Sequence, residues 1–550
     1  MNAFTDALKQ KGFEGDLDDS VETRDAYSHD ASFFEMMPKL IVYPKNTRDV
    51  ERIVQAATDA RPKLPGLSLT ARSAGTDMSG AAINDSVLID FKKYMNNLSD
   101  ADEDSAQVQP GMYYRDFEKE TLKHRAIMPS FPASRELCTV GGMVANNAGG
   151  ELSLRYGKTE DYVPELEVVL GDGKTYKVKP LNKAQLKKKI AKKDYEGKLY
   201  KRVFDLVDSN YDEIKKAKPN VSKNSTGYNI WNVWDRETGV FDMTQLIIGS
   251  QGTLGLVTDI KFRLVNQEPY SGVLVVFMKK IDKLGPVIND VLAQKPTTFE
   301  SFDNYTLNLS IKFFPYFRKT LGWGGLIKLG LQLIPDALIL AKGIPKMILL
   351  VEFTGQSQEE IDTKLRNMHS SLKKYKLQAV EEDNTPAKAW KFRIMRRESF
   401  NLLRKKVKDK HTAPYIDDMV VPPEHLTEFL PRLRKIINKY KLVATIAGHM
   451  GDGNFHVIPL MKFEDPKERA KIQPSMREVN ELILKYGGSL SGEHNDGMIR
   501  GPWLRQMYGS KIVKHFEEVK DTFDPDNIFN PHKKTDATWD YSMKHIREHF

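Results

Sequence analysis

Two rhythms of apolar and polar positions run along this chain. In IVYPKNTRDVERIVQAATDA (41–60) a short apolar run gives way to Val50, Ile53, Val54 and Ala57, spaced to share one face of a helix. The pattern predicts a strand, Thr47 as N-cap and an amphipathic helix. SVLIDF and VQPGMYYRDFEKETLKHR add a strand, then a strand, a Pro-Gly turn and a helix. IIGSQGTLGLVTDIKFRLV (247–265) ends in alternation, the period of a half-buried strand. Beyond it, 268–300 and 347–382 each read as strand, helix, strand, and MILLVEF (347–353) as a buried strand. This is α+β material, without sequence repeat or low-complexity linker. A domain boundary is placed near Asn266–Pro269, where the alternation stops.

Segments rich in small residues interrupt these rhythms. Around Gly75 and Gly80, ARSAGTDMSGAAI lets a backbone approach a ligand closely, and its N–H groups could form an anion nest for a diphosphate. It matches neither GxGxxG nor a Walker loop. With GGMVANNAGG and GSQGTLG it makes three small-residue loops, which one bulky diphosphate-bearing cofactor would explain. Asn146 and Asn147 add amides suited to a heterocycle edge. A fourth segment, GHMGDGNFHV, opposes a helix and favours a hairpin with Asp452-Gly453 at the turn. Gly451 then pairs Asn454, Met450 pairs Phe455, and His449 stands opposite His456 with Cβ atoms roughly 5 Å apart. Two imidazoles so placed suit one shared metal ion; a hairpin with two surface histidines is the alternative.

Composition narrows the picture. A chain of 550 residues with 40% hydrophobic and 29% charged content reads as a soluble protein of more than one domain. The single cysteine, Cys138, excludes a disulfide within the chain and a thiolate-held iron–sulfur cluster. The first residues lack an apolar signal core, so a cytoplasmic location is expected. The net charge of +9 is partly local: LNKAQLKKKIAKKDYEGKLYKRV (181–203) reads as a solvated helix, with an anionic membrane or an acidic partner as alternatives. No nucleic-acid motif accompanies it. The apolar stretch 321–341 is broken by Lys328, Pro335 and Asp336; it reads as short buried helices, with peripheral contact at the inner membrane face as the alternative.

DAYSHDAS…VYP, RSAGTDMSG, GGMVANNAGG, YGKTED, GSQGTLG, GHMGDGNFH, GEHNDG and FDPDNIFNP occur in this order between about residues 24 and 531. In that order they resemble the FAD-binding fold of the PCMH or vanillyl-alcohol-oxidase type. More narrowly, they resemble the branch of FAD-linked D-lactate dehydrogenase, D-2-hydroxyglutarate dehydrogenase and the glycolate oxidase flavin subunit. The resemblance implies an N-terminal segment (1–37), a two-subdomain FAD-binding domain (38–267), an α+β cap with an antiparallel sheet (268–520) and a tail (521–550) returning to the flavin. It places the flavin on Arg72, Ser73, Ala74, Gly75, Thr76, Asp77, Ser79 and Gly80; on Gly141, Gly142, Asn146, Asn147 and Gly150; on Gly249, Gly252, Thr253 and Gly255; and on Asn530. Relatives with covalent flavin often carry His after the loop glycine; Thr76 implies non-covalent FAD.

The same resemblance gives His449, His456 and Glu493 as ligands of a divalent metal, zinc first, with manganese or iron as alternatives. It gives His494 as the base and Arg393, three residues after Trp390, as the partner of a substrate carboxylate. A metal-chelated 2-hydroxy acid would lose its hydroxyl proton to the base as hydride passes to flavin N5. Three departures bear on substrate identity and flavin packing: Asn495 follows the histidine where Gly is usual, His532 replaces Gly in the Asn-Pro-Gly-Lys pattern, and Ser73 replaces the first loop glycine. A lysine that some relatives use against a second carboxylate finds no match, which favours lactate or glycolate over 2-hydroxyglutarate. The expected function is FAD-dependent oxidation of a D-2-hydroxy acid, with electrons passed to a quinone, a carrier flavoprotein, a partner subunit or oxygen. The competing readings are a non-redox transferase of the ether-lipid synthase type and a non-catalytic flavin subunit of a larger complex.

Overall fold

The computed structural model describes residues 1–312, 324, 343–383 and 409–550. Arg393 and, apart from residue 324, the apolar stretch 321–341 lie outside the described residues. Three bodies follow one another along the chain. The first is a four-stranded sheet in the order Asp16–Asp18, Leu40–Tyr43, Val87–Asp90, Leu69–Arg72, whose last three strands are parallel. Val50, Ile53, Val54 and Ala57 of the helix Thr47–Ala60 are buried against it, as their spacing predicts. The helix is capped by Asn46 rather than Thr47: the Asn46 side chain accepts from the amide of Asp49, and Thr47 is already helical.

The second body is an antiparallel five-stranded sheet, Leu98–Ala101, Ser105–Val108, Leu256–Arg263, Glu165–Val169, Thr175–Val178. The alternating strand is its centre, with inward residues buried along Leu256–Arg263. The lysine-rich stretch forms helices Lys183–Ile190 and Tyr195–Ser209, anchored by Leu186, Leu199 and Val203. The second small-residue segment is not a loop throughout. Val140–Asn146 is helical, and its glycines serve packing: a Cβ on Gly141 would fall 2.5 Å from Cβ of Pro110.

The third body is an antiparallel eight-stranded sheet. Tyr270–Met278, Met347–Gly355, Thr298–Asp303, Val443–His449 and Asn454–Met461 lie side by side in that order. Helices Leu284–Ala293, Gln358–Leu372 and Leu426–Lys439 cover it, and Met347–Gly355 is the predicted buried strand. Among the described residues, no helix is long and apolar enough to cross a membrane.

The tail returns to the first body after the helix Leu504–Phe523. Phe529 joins the core beneath the four-stranded sheet. Asn530 is fully spent on fastening: Nδ2 donates to the carbonyls of Ala81 (2.9 Å) and Gln251 (2.8 Å), and Oδ1 accepts from Oγ1 of Thr70. Asn530→Ala strands two buried carbonyls, so a loss of about 2–4 kcal/mol is expected. An unfolding free energy from urea titration within about 0.5 kcal/mol of the parent would contradict this role for the clasp.

Candidate active site

The His449–His456 segment forms the expected hairpin, but in another register. His449 pairs with Asn454, and His456 with Ala447. Four residues, Met450 to Gly453, make the turn, where Asp-Gly alone was expected to. Met450–Asp452 is a single 3-10 turn and Gly453 reverses the chain at φ 65°. Glycine is required there, because a Cβ would fall 1.8 Å from the carbonyl oxygen of Val421. The histidines are therefore diagonal neighbours on one face, ring centroids 5.5 Å apart.

The loop Ser489–Asp496 carries Glu493 and His494 to that face. Asp418, fully buried, holds it there: its carboxylate accepts from Ser491 Oγ (2.5 Å), the Glu493 amide (3.0 Å), the His494 amide (2.8 Å) and Asn454 Nδ2 (3.0 Å). The consequence is convergence on one oxygen. Glu493 Oε1 lies 3.4 Å from Nε2 of His449, 3.3 Å from Nε2 of His456 and 3.9 Å from Nε2 of His494. Each opposite ring nitrogen meets a carboxylate. His449 Nδ1 is 2.6 Å from Glu300, its cross-strand neighbour; His456 Nδ1 and His494 Nδ1 are 3.1 and 2.7 Å from the two oxygens of Asp417.

This donor set fits a divalent ion. Ligands about 2.0–2.1 Å from a tetrahedral ion stand roughly 3.3–3.4 Å apart, the separation of both hairpin imidazoles from Glu493. Carboxylates behind the histidines fix ring orientation, as partners of metal-bound imidazoles do. Asp418, His456, Glu493 and His494 form an overlapping set of possible ligands. The Asp418 carboxylate is already committed to four donors, so His449 is the better-placed partner of His456 and Glu493. Charge balance agrees. Burial raises the Asp417 carboxyl, but the flanking imidazoles outweigh it and hold the group far below the usual carboxylate range. Burial opposes charge on His456, yet Asp417 and Glu493 push it up to about 10. His494 is raised in the same way, burial opposing and Asp418 and Asp417 prevailing. Its side chain is 21% exposed, against 5% for His449, so it faces the open side.

The three small-residue segments meet beside this cluster. In Ser73–Asp77, the N–H groups of Ala74, Gly75 and Thr76 donate to no acceptor among the described residues. They are the unsatisfied donors an anion nest needs, and they fit the diphosphate of FAD. Asp77 braces the loop by accepting from the amides of Ser79 and Ala81, and from Asn146 Nδ2. Gly142 faces Ser73, where a Cβ would meet its Cβ at 3.4 Å. Gly80, Gly249, Gly252 and Gly255 have positive φ, and Thr253 is tied to Ser250 and Tyr228. Arg72 is turned inward, donating to the carbonyls of His29 and Ala82. Asn147 donates to Glu160, and Gly150 accepts from Lys223.

Sequence reasoning missed the residues that join these parts. Gln251 donates to Ser79 Oγ and Asn146 Oδ1 and accepts from the Gly497 amide. Asn495, at φ 67°, donates to the carbonyls of Asn146 and Gly249 and accepts from Lys534. It therefore ties two flavin segments to the residue after His494. Glu300, Asp417, Asp418 and Lys223 were equally unforeseen. Only the acidic pair in YIDDMVV, set against an apolar strand, offered a signal.

Two family models match. The FAD binding domain covers residues 38–179, and the C-terminal domain of FAD linked oxidases covers 268–534. A D-2-hydroxyglutarate dehydrogenase of Pseudomonas putida is 27% identical over 537 residues, 96% of this chain and 51% of the relative; the chain spans about half that protein's length. The glycolate oxidase subunit GlcD of Bacillus subtilis is 26% identical, covering 94% of this chain and 93% of its own. Among solved structures, a 4-ethylphenol oxidase from Gulosibacter chungangensis superposes with TM-score 0.67 at 15% identity, covering 98% of both chains. An alkyldihydroxyacetonephosphate synthase gives 0.66 at 17%, covering 97% of this chain and 85% of the other. These two show the fold: a PCMH-type flavin domain with an α+β cap.

Chelator-treated protein is expected to take up about one equivalent of Zn²⁺ and to release protons, because imidazolium must deprotonate to ligate. With His456 held up to about 10, apparent affinity rises with pH through that range and weakens below neutrality. Calorimetry in buffers of different ionisation enthalpy counts the protons; uptake without release would contradict the ligand assignment. Asp417→Asn is expected to weaken binding by about 10–100-fold.

Proposed function

The chain belongs to the FAD-linked oxidases, and from that premise we propose that it oxidises a small D-2-hydroxy acid to the 2-oxo acid and passes the electrons to a separate acceptor. The observation that carries the reading is the convergence of three imidazole Nε2 atoms on Glu493 Oε1, on a loop tied directly to the flavin segments by Asn495. Non-covalent FAD would accept hydride, and a divalent ion on His449, His456 and Glu493, zinc first, would acidify the substrate hydroxyl.

The protein's own groups supply the rest. His494 is the base: it receives the hydroxyl proton at Nε2, while Asp417 orients the ring from Nδ1 and stabilises the imidazolium. His449 and His456, backed by Glu300 and Asp417, present Nε2 to the point where, with Glu493, they would hold the ion. Arg393, outside the described residues, is proposed to hold the carboxylate. Among the described residues, the cations nearest the imidazoles are committed elsewhere. Lys158 donates to the carbonyls of Gly492 and Asn224, Lys223 to Gly150 and Glu493, and Arg500 to the carbonyls of Asn495 and Asp417. The proposed substrate has one carboxylate, as in lactate or glycolate, because the sequence offers no match for the lysine that some relatives set against a second carboxylate. No described feature favours the transferase.

Anaerobic mixing with D-lactate, L-lactate, glycolate and D-2-hydroxyglutarate tests the proposal. One of the first three, other than L-lactate, is expected to bleach the flavin absorbance, and chelator to abolish the effect. His494→Ala is expected to slow bleaching by about 10²–10⁴-fold. In the parent the rate falls as pH is lowered, because a base held up by Asp418 and Asp417 protonates early. Bleaching by D-2-hydroxyglutarate alone would overturn the monocarboxylate assignment. A yellow protein bleached by none would overturn the dehydrogenase reading.

A further inference from the structure

Lys223 lies in the stretch between residues 179 and 268 that neither family model covers. Its side chain is 1% exposed. Nζ lies 3.0 Å from the carbonyl oxygen of Gly150, 3.3 Å from Glu493 Oε2 and 3.3 Å from Asp452 Oδ2. The first two accept hydrogen bonds from the ammonium, and Asp452 faces it as an ion-pair partner. A buried ammonium already facing two carboxylates of the protein is a poor binder of a substrate carboxylate, so its role is structural.

The three partners come from three separate parts of the site. Gly150 closes the second flavin segment. Asp452 sits in the turn between His449 and His456, whose backbone also accepts from the neighbouring Ser222 Oγ at 3.0 Å. Glu493 is the carboxylate on which the imidazoles converge, and its two oxygens are divided: Oε1 faces His449 and His456, Oε2 faces Lys223. Contact is close on the flavin side as well, since a Cβ on Gly149 would fall 3.3 Å from Oε2. A shift of the flavin segment therefore moves the ammonium, and with it the carboxylate and the histidine turn.

We propose that Lys223 is a positioning residue that couples the flavin site to the metal site, so that filling either raises the affinity of the other, and that it confines Glu493 to binding an ion through Oε1. The inference rests on the reading above, that the chain binds FAD and a divalent ion.

The test is a binding cycle on the full chain. FAD affinity is measured by flavin fluorescence with and without saturating Zn²⁺, in the parent, Lys223→Met, Lys223→Gln and Asp452→Asn. In the parent, Zn²⁺ is expected to tighten FAD by about 5-fold or more, within the range of ordinary site coupling. In Lys223→Met that factor falls to about 1, and the change Zn²⁺ induces in the visible circular dichroism of the flavin disappears. Lys223→Gln, which keeps a neutral donor, retains part of the coupling. Asp452→Asn weakens only the turn contact and also retains part; it carries the comparison if the Lys223 variants do not fold. Independent binding in the parent, or parent-like coupling in the folded variants, overturns the role of Lys223. A parent that binds neither FAD nor Zn²⁺ overturns the underlying reading, and this inference with it.

Discussion

A carboxylate taken out of water must be met by donors, and the centre of this protein is organised around that requirement. Asp418 meets it with two backbone amides, a hydroxyl and a side-chain amide, all from the hairpin and the Ser489–Asp496 loop. Asp417 meets it with His456 and His494, and Glu493 with His449, the other side of His456 and an ammonium. Each anion is tolerable only where its donors stand, so loop, hairpin and flavin segments are fixed relative to one another. Function is built on the residual freedom: three ring nitrogens still pointing at one place.

The two halves of the molecule divide the work accordingly. The four- and five-stranded sheets carry the small-residue segments, and leave a run of N–H groups at Ala74–Thr76 without an acceptor among the described residues. The eight-stranded sheet carries the titratable groups, on adjacent strands whose register sets Glu300 behind His449. Between them run contacts that belong to neither half: Asn495 to Asn146 and Gly249, and Lys223 to Gly150 and Glu493.

Local order was legible in the sequence. Helical spacing located the buried face of Thr47–Ala60, alternation located Leu256–Arg263, and glycine-rich punctuation located the hairpin. What failed were choices decided by a few atoms. Asn46 and Thr47 are both competent caps, and only the path of the chain selects one. Asp-Gly suits a two-residue turn, but Val421 presses against Gly453 and a longer turn results. Gly141 reads as loop, yet it lies in a helix, and it is glycine there because Pro110 leaves no room for a side chain. That His449 and His456 share one face could be read from their spacing, since they share a hairpin. Asp417, Asp418 and Lys223 could not, because they reach the site from distant sequence and carry no pattern of their own.

The fastening of Asn530 has a consequence in time as well as space. Its amide bridges Thr70, Ala81 and Gln251, partners as much as 460 positions away along the chain. Contacts of such separation pay a large loop-closure entropy and form late. The segments that carry Thr70, Ala81 and Gln251 are synthesised early and must wait, unlatched, for the tail to arrive. Their fastening is therefore one of the last events of folding rather than a nucleus for it.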